Sequence, residues 1–198
     1  MELKNRISLH FDDAGQTLTA SAKVLQEPLE KATLALLQAI EQGNKVLACG
    51  NGGSAADAQH FIAELVGRFE RDRIPLAGIA LNTDTSILTA VGNDYGYDKV
   101  FERQVQALGS PGDVLVAITT SGNSQNVLNA ITAAQERKMV VIALSGKQGG
   151  VMNQILREED IHLCVPHDRT MRIQEIHILL LHILCDGLDA FLLGDFSL

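Results

Sequence analysis

His60 and Glu64 stand four residues apart in "KVLACGNGGSAADAQHFIAEL", residues 45–65. On a helix that spacing puts both side chains on one face. A histidine beside a carboxylate can ligate a metal or divide acid and base work. It is also the spacing of an ordinary surface pair, so the pair alone decides nothing. A second polar set, Gln174, His177 and His182, interrupts the apolar "RIQEIHILLLHILCD". Gln174 and His182 are eight residues apart, about 12 Å along a helix axis and about 80° around it. They meet at one point only if both side chains reach inward from two turns. A buried histidine satisfied by the core is the commoner role for either histidine.

Two glycine-containing loops offer anion sites. "GNGGSA", residues 50–55, fits the pattern G-x-G-x-x-A. A dinucleotide site also needs an acid closing the next strand about 20 residues on. Here that strand ends near Leu81, and Asp84 lies well beyond the spacing. No Gly-Lys-Ser/Thr is present, which excludes a Walker A loop. What remains is general physics: Asn51, Gly52 and Gly53 permit close backbone approach. Ser54 is expected to cap a helix whose N–H groups attract an anion. The second loop, "TTSGNS", places Thr119, Thr120, Ser121 and Ser124 around Gly122. Hydroxyls and N–H groups at a helix start suit a phosphate monoester. Ordinary turn chemistry uses the same residue types, but two such loops on one rim favour phosphate. Asn93 and Asp94, in "VGNDYGYD", fit an Asx turn or a contact to a sugar hydroxyl.

The elements that must position these groups follow from periodicity. Helices are expected over 4–24 and 27–43. Strands follow at "KVLACG", "LAGIAL", "DVLVAIT", "MVVIALS" and "IHLCV". Helices at 54–69, 84–92, 97–108 and 124–137 separate them, and a long helix from about Arg169 to Phe191 ends the chain. Near-continuous apolar strands alternating with helices predict an α/β fold, a doubly wound, flavodoxin-like five-stranded parallel sheet. One domain is expected over 1–198, with a helical extension, 1–43, on an α/β core, 44–198. Ligands of such sheets bind beyond the carboxyl ends of the strands. That gathers "GNGGS", "NTD", "TTSGNS" and the start of the last helix on one rim.

Composition narrows the classes. The 198 residues carry a formal net charge of −8, and apolar residues make up 46%. No Lys/Arg cluster marks a face, so nucleic acid is not an expected partner. Cys49, Cys164 and Cys185 are far apart and odd in number. That argues against a disulfide framework and for a reducing compartment. The N-terminus lacks a signal-peptide core, and "IHILLLHILCDGLDAFLL", broken by His and Asp, is short for a membrane span. A cytoplasmic protein is expected, with no membrane partner.

"CGNGGSAADAQHFIAEL", "GNDYG", "LGSPGDVLVAITTSGNS" and "RIQEIHILLLHILCD" together resemble the sugar isomerase (SIS) family, most closely its phosphoheptose isomerase branch. The resemblance spans essentially the whole chain, and four motifs in order are specific where one is not. It implies isomerisation of sedoheptulose 7-phosphate to D-glycero-D-manno-heptose 7-phosphate, the entry to ADP-heptose for lipopolysaccharide. It also implies a homotetramer with sites between subunits, which would explain how the last helix reaches residues 60–64. Carried over by position, it implies one zinc per subunit on His60, Glu64, Gln174 and His182. Substrate contacts fall on Asn51, Gly52, Gly53, Glu64, Asn93, Asp94, Thr119, Thr120, Ser121, Ser124 and Gln174, with Ser54 in the same loop. Glu64 and His182 fall on the acid/base pair. Immediately before the Arg of "RIQE" some members carry an acid; here Met171 stands there.

Two other classes share the fold. The DnaA initiator-associating protein resembles this chain at "AQHF", "RFE" and "ALNTD", but is expected to lack the carboxylate at 64 and the histidine at 182. Some regulators use SIS domains to sense sugar phosphates, joined to a DNA-binding segment, and no such segment is expected here. Glu64 and His182 favour the isomerase, since function resides in the site and not in the fold.

Overall fold

A computed structural model describes residues 2–197. Five parallel strands form one sheet in the order β2-β1-β3-β4-β5. They are β1 (Val46–Gly50), β2 (Gly78–Ala80), β3 (Val114–Ile118), β4 (Val140–Ser145) and β5 (Ile161–Cys164). The order reverses between β1 and β3, which pair from Val46↔Val114 to Gly50↔Ile118. That junction is the switch point where doubly wound sheets open a crevice for ligands.

Every residue of β1 and β3 is buried. Alternate residues point to opposite faces, and the core divides accordingly. Val46, Ala48, Val114, Val116 and Ile118 pack with α1 (Leu3–Glu41), α2 (Gly53–Val66) and α7 (Thr170–Leu193). Leu47, Cys49, Leu115 and Ala117 pack with Phe101, Val105, Val127 and Ile131 on the other face. The last four belong to α4 (Glu102–Leu108), α5 (Gln125–Glu136) and the turn before α4. The smaller elements are α3 (Thr85–Tyr95), α6 (Met152–Ile155) and 3₁₀ turns at Tyr97–Lys99 and Lys147–Gly149.

The structure corrects the N-terminal expectation: the two helices are one, running unbroken from Leu3 to Glu41 through Pro28. An interior proline costs about 3 kcal/mol. Leu25, Leu29, Leu36 and Ala39 form one buried stripe against the sheet and α7. Burying a leucine stabilises by about 1.5–3 kcal/mol, so the continuous stripe outweighs the lost hydrogen bond. The expected helix over 97–108 is likewise split, into a 3₁₀ turn and α4. The α6 turn and the second 3₁₀ turn lie in a stretch where no helix was expected.

The last helix has 24 residues, long and apolar enough by length and composition to cross a bilayer. In this fold it packs against α1 and α2, and half of its apolar stretch is buried. His177, wholly enclosed, donates from Nε2 to the Ser145 carbonyl at 3.1 Å, while Nδ1 has no partner. Burial pushes this imidazole down to about 4, with the bond to Ser145 opposing. The unfolded chain then binds one more proton than the folded one between an ordinary histidine pKa of about 6.5 and about 4. Stability is complete above that range and falls by about 3 kcal/mol as pH drops through it. The urea midpoint should therefore decline from pH 7 to 4.5, and His177→Asn should flatten that decline. An equal decline in the variant would remove His177 as its source.

Candidate active site

Glycine shapes the first loop. Gly52 sits at φ +59 as the residue before α2, a conformation that L side chains adopt reluctantly. Ser54, expected from sequence to cap the helix, does not; it lies inside the first turn, buried, with its N–H bonded to the Asn51 carbonyl at 3.0 Å. Gly52 takes the cap position because the turn needs positive φ. Among the described residues the Gly52 and Gly53 amides find no backbone acceptor. They stand at the positive end of the α2 dipole.

The second loop enters α5 at Ser124. Thr119 Oγ1 lies 2.9 Å from Ser124 Oγ and 3.4 Å from Ser121 Oγ, so three hydroxyls converge. Thr120 lies beside them, half-buried. The two loops are joined by a reciprocal amide pair across the switch point. Asn51 Nδ2 donates to Asn126 Oδ1 at 2.8 Å, and Asn126 Nδ2 donates back to Asn51 Oδ1 at 2.9 Å. Tyr97 adds its hydroxyl to Asn51 Oδ1 at 3.1 Å. The Asn51 amide is therefore a strut between the loops, leaving mainly backbone to meet a ligand. Neither Asn126 nor Tyr97 was singled out from sequence. An asparagine in the first turn of a helix gives no local sign of a partner 75 residues away.

The helices α2 and α7 carry the groups for chemistry. His60 Nε2 lies 2.9 Å from His182 Nε2 and 3.3 Å from Glu64 Oε1. The His182 ring also lies 5.6 Å from the Phe69 ring. These three side chains meet within one chain, which corrects the expectation that a neighbouring subunit is needed to bring the last helix to residues 60–64. Gln174 is held elsewhere: its amide lies against Gly53, seven residues before His60. With Gln174 near Gly53 and His182 near His60, the two helices run in the same direction. Asp57, three residues before His60, has a buried Oδ2 with no partner. Burial raises its carboxyl, and the nearby His60 opposes that rise. The i,i+3 spacing from His60 was the sequence sign that could have found it.

Asn93 and Asp94 are exposed on the last turn of α3, where Asn93 Nδ2 donates to Asp94 Oδ1 at 2.8 Å. That replaces the expected turn. Asp84 caps this helix, accepting the Ile87 N–H at 2.9 Å. Met171 is exposed, its sulfur 3.2 Å from Arg169 Nη2.

Among the described residues, no three His, Cys, Asp or Glu side chains form a ready ligand shell. His60, Glu64 and His182 nonetheless stand close together. Ligands about 2.1 Å from a tetrahedral zinc stand about 3.4 Å apart. The observed separations of 2.9 and 3.3 Å differ from that by small side-chain adjustments. Two imidazoles and a carboxylate are the donor types zinc takes, so the trio fits the ion. The Gln174 amide, at Gly53, is not part of it.

The family model described as "SIS domain" matches residues 10–146. A phosphoheptose isomerase from Bordetella avium is 68% identical, covering 98% of this chain and 99% of that protein. The solved phosphoheptose isomerase of Neisseria gonorrhoeae aligns with TM-score 0.91 at 53% identity, over 96% of this chain and 100% of that one. A phosphoheptose isomerase structure from Francisella tularensis gives TM-score 0.93 at 43% identity, over 96% and 99%. Likeness of this extent covers both anion loops and both chemistry-bearing helices, and the chain belongs to the SIS domain family, among the phosphoheptose isomerases.

Proposed function

We propose that this chain interconverts sedoheptulose 7-phosphate and D-glycero-D-manno-heptose 7-phosphate, supplying the aldose for ADP-heptose. The observation that carries the reading is the meeting of His60, Glu64 and His182 beside two helix-start loops suited to phosphate. The phosphate rests on the hydroxyls and N–H groups of Thr119–Ser124. The Gly52–Ser54 loop, Gln174, Asn93 and Asp94 face the sugar.

Fixing the phosphate holds C1 and C2 of the open-chain ketose against Glu64. Its carboxylate takes one C1 proton, leaving a cis-enediol, and returns a proton to C2, so the carbonyl moves to C1. His182 carries the matching proton between the two oxygens, as an imidazole can near neutral pH. His60 orients Glu64 and His182 through the contacts already described. His60, Glu64 and His182 would hold a zinc ion, which would supply Lewis-acid polarisation when bound. A cytoplasmic homotetramer, whose neighbouring subunits border a site with acid/base groups supplied by one chain, completes the reading. What supports assembly is exposed apolar surface: Leu3, Leu9 and Phe11 on α1, and an α3 with no buried residue although it carries Ile87 and Leu88.

The test is proton NMR of the purified protein with sedoheptulose 7-phosphate, with and without zinc. Aldose signals are expected. Their absence under every metal condition would overturn the reading and leave a binding protein of the same fold.

A further inference from the structure

Arg73 lies in the segment between α2 and β2, and no step of the reaction uses it. Its side chain is 2% exposed, as is that of Asp189, to which Nε donates at 2.9 Å. Nη1 donates to the carbonyls of Leu65 at 2.7 Å and Ile74 at 3.0 Å, and Nη2 to the carbonyl of Glu64 at 2.7 Å. An α-helix leaves its last four carbonyls without intrahelical partners. At the end of α2, Gly67 N–H takes the Ala63 carbonyl at 2.8 Å, and Leu76 N–H takes that of Leu65 at 3.0 Å. The carbonyl of Glu64 falls to Arg73, so the peptide of the proposed base is held by this guanidinium. A buried cation at this end also complements the helix dipole.

Asp189 stands on α7, seven residues beyond His182, about two turns along the same helix face. Arg73 therefore ties the turn bearing Glu64 to the helix bearing His182. Cys185 lies between them, its thiol pushed up by burial first and then by the nearby Glu64 carboxylate. Asp189 Oδ2 is buried without a protein partner.

We infer that the Arg73–Asp189 pair is a positioning device that fixes the axial register of α2 against α7, and so the spacing of Glu64 and His60 from His182. The inference rests on the proposed roles of Glu64 and His182. A helix rises about 1.5 Å per residue, and a misplacement of about 1 Å can lower a rate about 100-fold. A guanidinium can bridge one carboxylate and three carbonyls at once, whereas an ammonium is a single point donor.

Replacing a whole buried ion pair by apolar side chains is often neutral for stability. That separates register from folding. The Arg73→Met/Asp189→Leu double variant and Arg73→Lys are compared with the wild type in melting temperature, kcat, KM and ¹⁵N imidazole shifts of His60 and His182. The double variant is expected to fold but to melt several degrees below the wild type, because the carbonyls of Glu64 and Ile74 lose their donor. Its kcat should fall about 100-fold with KM within about threefold, and both histidine signals should move. Wild-type kcat and unmoved histidine signals in the folded double variant would overturn the inference. If the double variant does not fold, Arg73→Lys decides: a fall in kcat at constant KM supports the role, and unchanged kcat overturns it. Should the wild type itself convert no sugar phosphate, the functional reading fails separately. The histidine shifts then decide the register alone: signals that move in the variants support it, and signals that stay overturn it.

Discussion

Glu64→Gln is expected to lower kcat by about 10³-fold while the protein folds and assembles as the wild type does. The substitution keeps side-chain length and an oxygen near His60, but replaces the basic carboxylate by an amide too weakly basic to take a proton from carbon. General acid/base groups typically contribute about 10²–10⁴-fold, and proton abstraction from C1 is the step assigned to Glu64. His60 and His182 already engage each other at 2.9 Å. Affinity for inorganic phosphate should be unchanged, since the hydroxyls of Thr119, Ser121 and Ser124 lie on a different loop. Two explanations of a loss are separable. If Glu64 serves only as a ligand, excess zinc should restore turnover in the variant; if it is the base, zinc should not. NMR rates with and without zinc, with phosphate binding by calorimetry, read both. Near-normal turnover in the variant would sink the assignment of Glu64.

The same site shows how far the sequence reaches. β1, β3 and β4 were legible because strands buried on both faces are continuous apolar runs. Their residues 114–118 and 141–144 are indeed wholly buried. The parallel order followed from alternation with helices. What periodicity could not carry was which helix lies beside which. His60 and His182 are 122 positions apart, and only the resemblance placed them together. The resemblance attributes their meeting to a neighbouring subunit, whereas one chain brings them together. Arg73 was invisible for a related reason. Its partner Asp189 is 116 positions away, and an arginine in a charged loop reads as solvated surface. Periodicity puts a break at residues 25–26, just before Pro28, but the buried stripe of Leu25, Leu29 and Leu36 carries the helix through both.

Gly122→Ala should be the most damaging small substitution in the phosphate loop. Gly122 has φ +67, and a Cβ there would run into the backbone of Gly149, whose carbonyl carbon is 2.5 Å from its position. Gly149 cannot easily retreat. It belongs to a run of four residues at positive φ, Lys147, Gln148, Gly149 and Gly150. That run is pinned to the phosphate loop twice: Met152 N–H donates to the Gly122 carbonyl at 2.9 Å, and Val151 N–H donates to Asn123 Oδ1 at 2.9 Å. The left-handed conformation alone costs an L residue about 1–2 kcal/mol, and a forced clash in packed surroundings typically adds about 1–3 kcal/mol. Gly43, at φ +77 with open space around it, supplies the control, since Gly43→Ala carries the backbone term without the clash. Each kcal/mol shifts the melting temperature by about 2–4 °C in a chain of this size. Gly43→Ala should therefore melt about 2–8 °C below the wild type, and Gly122→Ala roughly 4–20 °C below it. The site should respond as well. Pushing Gly122 off Gly149 moves Ser121 and Ser124, whose hydroxyls meet at Thr119, so KM for the sugar phosphate should rise about tenfold or more while Gly43→Ala leaves it unchanged. A Gly122→Ala protein that melts with Gly43→Ala and keeps its KM would show that the two loops are not coupled, and that the phosphate loop holds its shape without the strained turn beneath it.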